Sequence, residues 1–243
     1  MTPAHPGRRA LAPVPLLLSA VLCLSAPAAA AGDLRAAIAR GSGVSDFAQI
    51  EEIAYTFHVK LPDREVSRSW LWAPAADRVT FRPAGGAAEE LTWERGLLSS
   101  GSASERARAA DPLFVNDNYW LLFPLRLTWD LAAKISEDPA PAALPIGQGR
   151  ARRVVVAYPA DEGYTPGDVY ELFLDPEGRI LQWVYRKGGD PRPTRVTTWE
   201  DWREVGPLRL SLDRRGADGV FRVWFTGVAV RPKGGAGWIP ARP

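Results

Sequence analysis

Thiols, thioethers and imidazoles are nearly missing from this 243-residue chain, which has one Cys, one Met and two His. Met1, His5 and Cys23 all fall near the N-terminus, so His58 is the one imidazole beyond them. One cysteine cannot build a disulfide framework, and a transition-metal site of the usual Cys and His donors has no ligand set to draw on. Charge of one sign is lacking as well. The 30 Lys and Arg stand against 28 Asp and Glu, and the excess of +2 is carried by Arg8 and Arg9, because residues 1–31 contain no acid. Without that segment the chain is neutral, which argues against a phosphate-binding surface and against nucleic acid as a partner. Phosphate loops are absent too. "PAGGAAE" and "GGAGWIP" are glycine-rich, but neither runs from a strand into a helix with the spacing a phosphate cradle needs.

No hydrophobic run is long enough for a comfortable membrane span. The longest apolar stretch, "LAPVPLLLSAVLCLSA", is short and interrupted by Pro13 and Pro15. Arg8 and Arg9 precede it and "APAAAAGD" follows, which is the layout of a secretory signal with cleavage near Ala31. The expected organisation is a signal peptide over 1–31 and a single domain over 32–243. Abundant Ala, and Arg far in excess of Lys, point to a GC-rich bacterial source and thus to a periplasmic product.

What the chain does have is aromatic surface: ten Trp, all after residue 69, with six Tyr and eight Phe. Large aromatics either fill a core or line a ligand cavity. A short helix is expected over "DLRAAIAR", stopped by Gly41 and Gly43, and another over "SDFAQIEE". Strands then dominate. "IAYTFHVKL" puts Ile53, Tyr55, Phe57 and Val59 on one face. In "VSRSWLW", Val66, Trp70 and Trp72 share a phase with Arg68 among them. "RVTFRP" and "EELTWE" form a hairpin, as do "DVYELFLD" and "RILQWVYRK", where Asp175-Pro176-Glu177-Gly178 suits a type I turn. "RRVVVAYP", "TRVTTWEDW", "LRLSLDR" and "VFRVWFTGVAV" are further strands, and the tail from Arg231 is read as loose. The pattern is α+β: about nine to eleven antiparallel strands in one large curved sheet, with helices against one face.

The segment "NDNYWLLFPLRLTWD" (116–130) reads as a helix. Asp111 is expected to cap it, Pro112 to occupy its first turn and Pro124 to stop it near Phe123. Asn116, Asp117 and Asn118 would then meet free backbone amides at the helix start. Its C-terminal half is apolar nearly all round, so it should be buried on most sides. Catalytic groups are hard to assemble. No Ser-His-Asp or Cys-His set can be built around His58, and no two carboxylates are placed across a cleft. Asp161-Glu162 and Glu200-Asp201 are the candidates for an all-oxygen calcium site.

Three stretches carry a resemblance to a known group: "IARGSGVSDFAQIEEIAYTFHV", "SRSWLWAPAADRVTF" and "FVNDNYWLLFPLRL", the last close to an Asn-Asp-x-Tyr-Trp-Leu signature. The chain resembles the LolA/LolB-like lipoprotein-carrier superfamily, in particular uncharacterised exported members. That resemblance implies an open antiparallel half-barrel whose concave, apolar face is covered by helices. It also implies lipid or acyl-chain binding between sheet and helices, with no catalysis and no cofactor. The expected partner is a hydrophobic ligand or a lipidated protein, with transient contact to an envelope membrane. Tyr55, Phe57, Trp70, Trp72, Phe114, Tyr119, Trp120, Phe123, Trp183 and Tyr185 are the expected lining residues, and no metal site is assigned. The alternative is an envelope structural or interaction protein in which the same aromatics form a filled core.

Overall fold

The computed structural model describes residues 28–43, 47–83, 89–161 and 164–242. Most of the expected signal segment lies outside the described residues, as do 44–46; the rest of the expected second helix, 47–52, is instead a 3-10 turn and the start of a strand. Helix α1 (Ala28–Gly41) leads through a 3-10 turn (Phe47–Gln49) into β1 (Ile50–Lys60), β2 (Glu65–Ala73), β3 (Arg78–Arg82) and β4 (Leu91–Glu94). The short α2 (Gly96–Ser99) and the long α3 (Glu105–Arg126) come next. Then follow β5 (Lys134–Glu137), β6 (Ala142–Ala143), β7 (Arg150–Ala157), β8 (Val169–Leu174) and β9 (Ile180–Arg186). The chain ends with β10 (Arg195–Thr198), β11 (Glu200–Val205), β12 (Leu208–Arg215), β13 (Arg222–Pro232) and β14 (Ile239–Pro240).

These strands form an open, antiparallel α+β half-barrel divided between two sheets. The larger runs β11-β12-β13-β1-β2-β3-β4, with β14 added to β13, and the smaller runs β10-β9-β8-β7-β5, with β6 added to β7. The sheets meet where β10 passes into β11 at Trp199, which is buried; a Thr197–Gly216 bridge and a bond from Arg215 N to Thr198 Oγ1 (3.1 Å) close the seam. The described residues hold fourteen strands, more than the nine to eleven expected, because "TRVTTWEDW" breaks at that corner and β5, β6 and β14 are short. The tail is not loose: Ile239 pairs with Val230, and the amide of Arg242 donates to the carbonyl of Glu204 at 2.9 Å.

Alternation on β1 is as the sequence implies. Ile53, Tyr55 and Phe57 are buried, and their cross-strand partners Trp72, Trp70 and Arg68 lie on the same inner face. α3 is wedged against the inner faces of both sheets. Phe114 meets Trp70 and Trp72 of the larger sheet at 5.6 and 5.8 Å, while Phe123 meets Tyr170 and Trp183 of the smaller at 4.6 and 5.4 Å. α1 secures this wedge. Arg35 donates to the carbonyls of Leu127 and Asp130 (2.8 and 3.2 Å) and to that of Ala133, satisfying acceptors just past the end of α3. At its other end α1 abuts the Asp175–Gly178 turn. Gly178 has φ +85°, and a Cβ there would sit 2.9 Å from the Ala37 carbonyl oxygen, so glycine is required twice over.

Candidate functional site

α3 organises the interior, and it is longer than the sequence suggests. It begins at Glu105, where Ser104 Oγ accepts from the amide of Ala107 at 3.2 Å, and continues through Pro112 and Pro124 to Arg126. Asp111 is therefore not a cap, Pro112 is not in the first turn and Pro124 does not stop the helix. Packing outweighs the local cost of the prolines: Leu121, Leu122, Phe123 and Leu125 flank Pro124 and are almost wholly buried. The expectation that this half is buried on most sides holds, since every residue from Asp117 to Leu125 is buried.

The polar residues of α3 thus lie mid-helix, and their partners are side chains rather than free amides. Asp117 is fully buried and takes two parallel bonds from Arg68 (Nε and Nη2, both 2.7 Å), one from Trp70 Nε1 (2.8 Å) and one from Asn116 Nδ2 (3.0 Å). Burial pushes its carboxyl above the ordinary value, while Arg68, Asn116 and Trp70 pull the other way. Asp111, two turns earlier, accepts from Trp93 Nε1 (2.9 Å), Arg95 Nε (2.9 Å) and Tyr164 OH (2.5 Å). Asn118 accepts from Arg126 Nη1 at 2.8 Å. Arg126 also pairs with Asp130 (3.2 Å) and lies 4.0 Å over the Tyr119 ring; Asp130 further accepts from the hydroxyls of Tyr119 (3.2 Å) and Tyr158 (2.9 Å). Burial raises the Tyr55, Tyr158 and Tyr170 hydroxyls well above the ordinary tyrosine value, so all three stay neutral, and Tyr158 donates to Asp130.

Between α3 and the two sheets lies a cavity of about 380 Å³. Its buried wall includes Phe57, Val115, Tyr119, Trp120, Tyr170, Trp183, Phe221 and Val223, and its exposed rim includes Pro112, Asn116, Tyr164 and Arg195. Tyr185 and Val59, both half-buried, complete the wall. A second cavity, of about 640 Å³, is floored by Phe47, Trp72, Phe114 and Trp129 and bounded by Asp77, Arg95, Arg126, Asp130 and Lys233. A third, of about 350 Å³, adjoins both: it shares Tyr119, Tyr164 and Thr165 with the first, and Arg126, Trp129 and Asp130 with the second.

The ten residues expected to line a cavity divide accordingly. Phe57, Tyr119, Trp120, Trp183 and Tyr185 surround the first cavity, and Trp72 and Phe114 the second. Tyr55, Trp70 and Phe123 line none of the three; Trp70 and Phe123 pack against other rings, and Tyr55 lies edge-on to Phe225 at 6.0 Å. Sequence inspection missed Asp111, Asp117, Tyr164, Tyr170 and Arg195. One signal was available. Arg68 shares the phase of Trp70 and Trp72, and an arginine on a buried face calls for a buried carboxylate. Arg214 departs from that rule: fully buried and 3.8 Å over the Trp199 ring, it bonds Ser211 O (2.6 Å) and no carboxylate among the described residues, and burial brings its pKa down to about 9.

His58 lies on the opposite face of β1 from these cavities. Its ring nitrogens meet Ser67 Oγ (2.7 Å) and Thr226 Oγ1 (2.8 Å), and it stacks on Trp224 at 4.9 Å. Partial burial lowers its pKa. A histidine with a depressed folded pKa contributes stability that is present above its unfolded value of about 6.5 and is lost as pH falls through the folded value. Thermal melts of His58→Gln should therefore show a shallower loss of stability below neutral pH than those of the unsubstituted protein. Among the described residues no group of three or more His, Cys, Asp or Glu side chains is placed to hold a metal ion. Of the acids considered for calcium, Glu200 pairs with Arg215 and Asp201 with Arg203, while Glu162 lies outside the described residues. No described helix is long and apolar enough to cross a membrane.

No family model matches the chain, and no curated protein matches it. Among solved structures, the chain is similar to a DUF1329 family protein from Desulfovibrio piger, with TM-score 0.47 and 9% identity over 87% of this chain and 95% of that one. It is also similar to a LolA superfamily protein from Nitrosomonas europaea, with TM-score 0.47 and 8% identity over 80% and 92% of the two chains. A third similar structure is a domain described as outer membrane lipoprotein-sorting, from Vibrio parahaemolyticus, with TM-score 0.39 and 10% identity over 83% and 91%.

Proposed function

We propose that this protein is a non-enzymatic binder of an apolar chain, whether a lipid, a free acyl chain or the acyl group of a lipidated protein. It acts in the periplasm as a single domain over 32–243 after its leader is removed near Ala31. The observation that supports this most is the cavity between α3 and both sheets, walled by Phe57, Val59, Val115, Trp120, Trp183, Phe221 and Val223. At about 380 Å³ it falls within the ~300–1,000 Å³ of small-molecule sites. Each methylene that leaves water for such a wall contributes about 0.8 kcal/mol, so a chain can be retained with no covalent step. The resemblance to lipoprotein carriers points the same way.

The second reading, a filled core serving an envelope structural or interaction role, draws support from Tyr55, Trp70 and Phe123, which line none of the three cavities. Native mass spectrometry of protein purified from its own host separates the two. Binding predicts an adduct that organic solvent releases as an apolar molecule. A bare polypeptide mass, with no uptake of a fluorescent fatty acid, sinks the binding role and favours the filled core.

A further inference from the structure

We propose that the cavity between α3 and the two sheets takes a single-chain amphiphile with an anionic headgroup, held at the rim by Arg195. This rests on the binding role above and adds the chemistry of the head. Three observations on the rim and wall carry it.

First, the charges that line the cavity are unequally engaged. Arg68 is committed to Asp117 through two bonds of 2.7 Å. Arg195 is exposed, its guanidinium is held 4.9 Å over the Phe221 ring, and it donates to the carbonyl of Thr194 (2.9 Å). Among the described residues it has no ion-pair partner within 4.0 Å, in a chain where most arginines near the sheets do. Phe221 is itself part of the cavity wall, so the cation is fixed at the edge of the apolar space.

Second, the acids around this mouth of the cavity bond to other donors, and none bonds Arg195. Asp168, the one carboxylate lining the cavity, receives Tyr185 OH on one oxygen (3.0 Å) and the amide of Gly188 on the other (2.8 Å). Asp218, which feels the charge of Arg195, accepts the amides of Val220 and Phe221 at 3.0 and 2.9 Å. An incoming anion therefore faces a cation that these acids only partly neutralise.

Third, the phenols of the wall are neutral: burial keeps Tyr170 and Tyr185 protonated, so their hydroxyls do not repel a negative head. A charge-assisted bond to a guanidinium is the strong kind, and beside an apolar wall it is less screened than in open water.

The test uses three probes with one tail and different heads: dodecanoate, dodecyl phosphate and dodecanol. Binding is read from tryptophan fluorescence, since Trp120 and Trp183 stand in the wall. At least one anionic probe should bind about tenfold more tightly than dodecanol, a preference worth ~1.4 kcal/mol that weakens as salt is added. Arg195→Gln should abolish the preference, bringing the anionic probes to the affinity of dodecanol for the same variant, and Arg195→Lys should restore part of it. Which anion binds better distinguishes a carboxylate head from a phosphate one. Equal binding of dodecanol and the anions, or a preference that survives Arg195→Gln, overturns the headgroup proposal alone. If none of the three probes binds, the binding role falls, and the headgroup with it.

Discussion

Asp117→Ala is expected to cost about 3–5 kcal/mol of folding stability, the range seen when one member of a buried ion pair is removed. Asp117 is 0% exposed, and its loss strands Arg68 and the indole N–H of Trp70 on the inner face of β2. For a domain of this size each kcal/mol moves the melting temperature by about 2–4 °C, so thermal melts followed by circular dichroism should fall by roughly 10 °C. Replacing both partners, as Arg68→Met with Asp117→Leu, should recover part of the loss, because two apolar groups need no desolvation to be repaid while the Trp70 N–H stays unpaired. The raised carboxyl pKa has the same origin: burial outweighs the pull of Arg68. A single substitution within about 1 kcal/mol of the unsubstituted protein would show that the pair contributes nothing specific to the seat of α3.

Asp111→Ala should be the next most damaging change, at about 3 kcal/mol. It removes the shared acceptor of Trp93, Arg95 and Tyr164. The loss is smaller than at Asp117 because Arg95 keeps Asp77 as a second partner at 3.3 Å. Tyr164→Phe is the control: Tyr164 is half-exposed, and losing its single bond should cost no more than about 1 kcal/mol. Urea unfolding with an unchanged slope would locate both effects in the native state. Equal losses for Asp111→Ala and Tyr164→Phe would contradict the network as described.

The strands were legible because their physical signal is local. Ile53, Tyr55 and Phe57 alternate with polar residues and all three face inward, and Asp175 to Gly178 carries its turn chemistry in four consecutive residues. The ends of α3 were not legible, because they are decided at a distance. Pro124 forbids a regular helix locally, and only the packing of Phe123 on Tyr170 and Trp183, far along the chain, outweighs it. That one shift changed the meaning of Asp111 and Asp117 from helix-end groups to interior anchors. The aromatic residues of the cavity wall were partly legible. Phe57, Trp120 and Trp183 stand on inward faces that periodicity predicts, but periodicity cannot tell a face that meets a cavity from one that meets another ring. Tyr55 and Trp70 share the inward phase of Phe57 and Trp72 and still pack in the closed core. Arg195 lacks any such signal: its place at the rim depends on the corner at Trp199, which brings two sheets together.

The central claim is that the space between α3 and the sheets admits an apolar chain. Its most direct test is saturable uptake of a fluorescent fatty acid by the unsubstituted protein and by Val59→Trp, which fills that space from the half-buried edge of β1. Leu97→Trp, on an exposed residue that lines none of the three cavities, serves as the control. The prediction is saturable uptake in the unsubstituted protein and in Leu97→Trp, and at least a roughly tenfold loss of affinity in Val59→Trp at an unchanged fold by circular dichroism. Equal uptake by all three proteins, or none by the unsubstituted one, would contradict it.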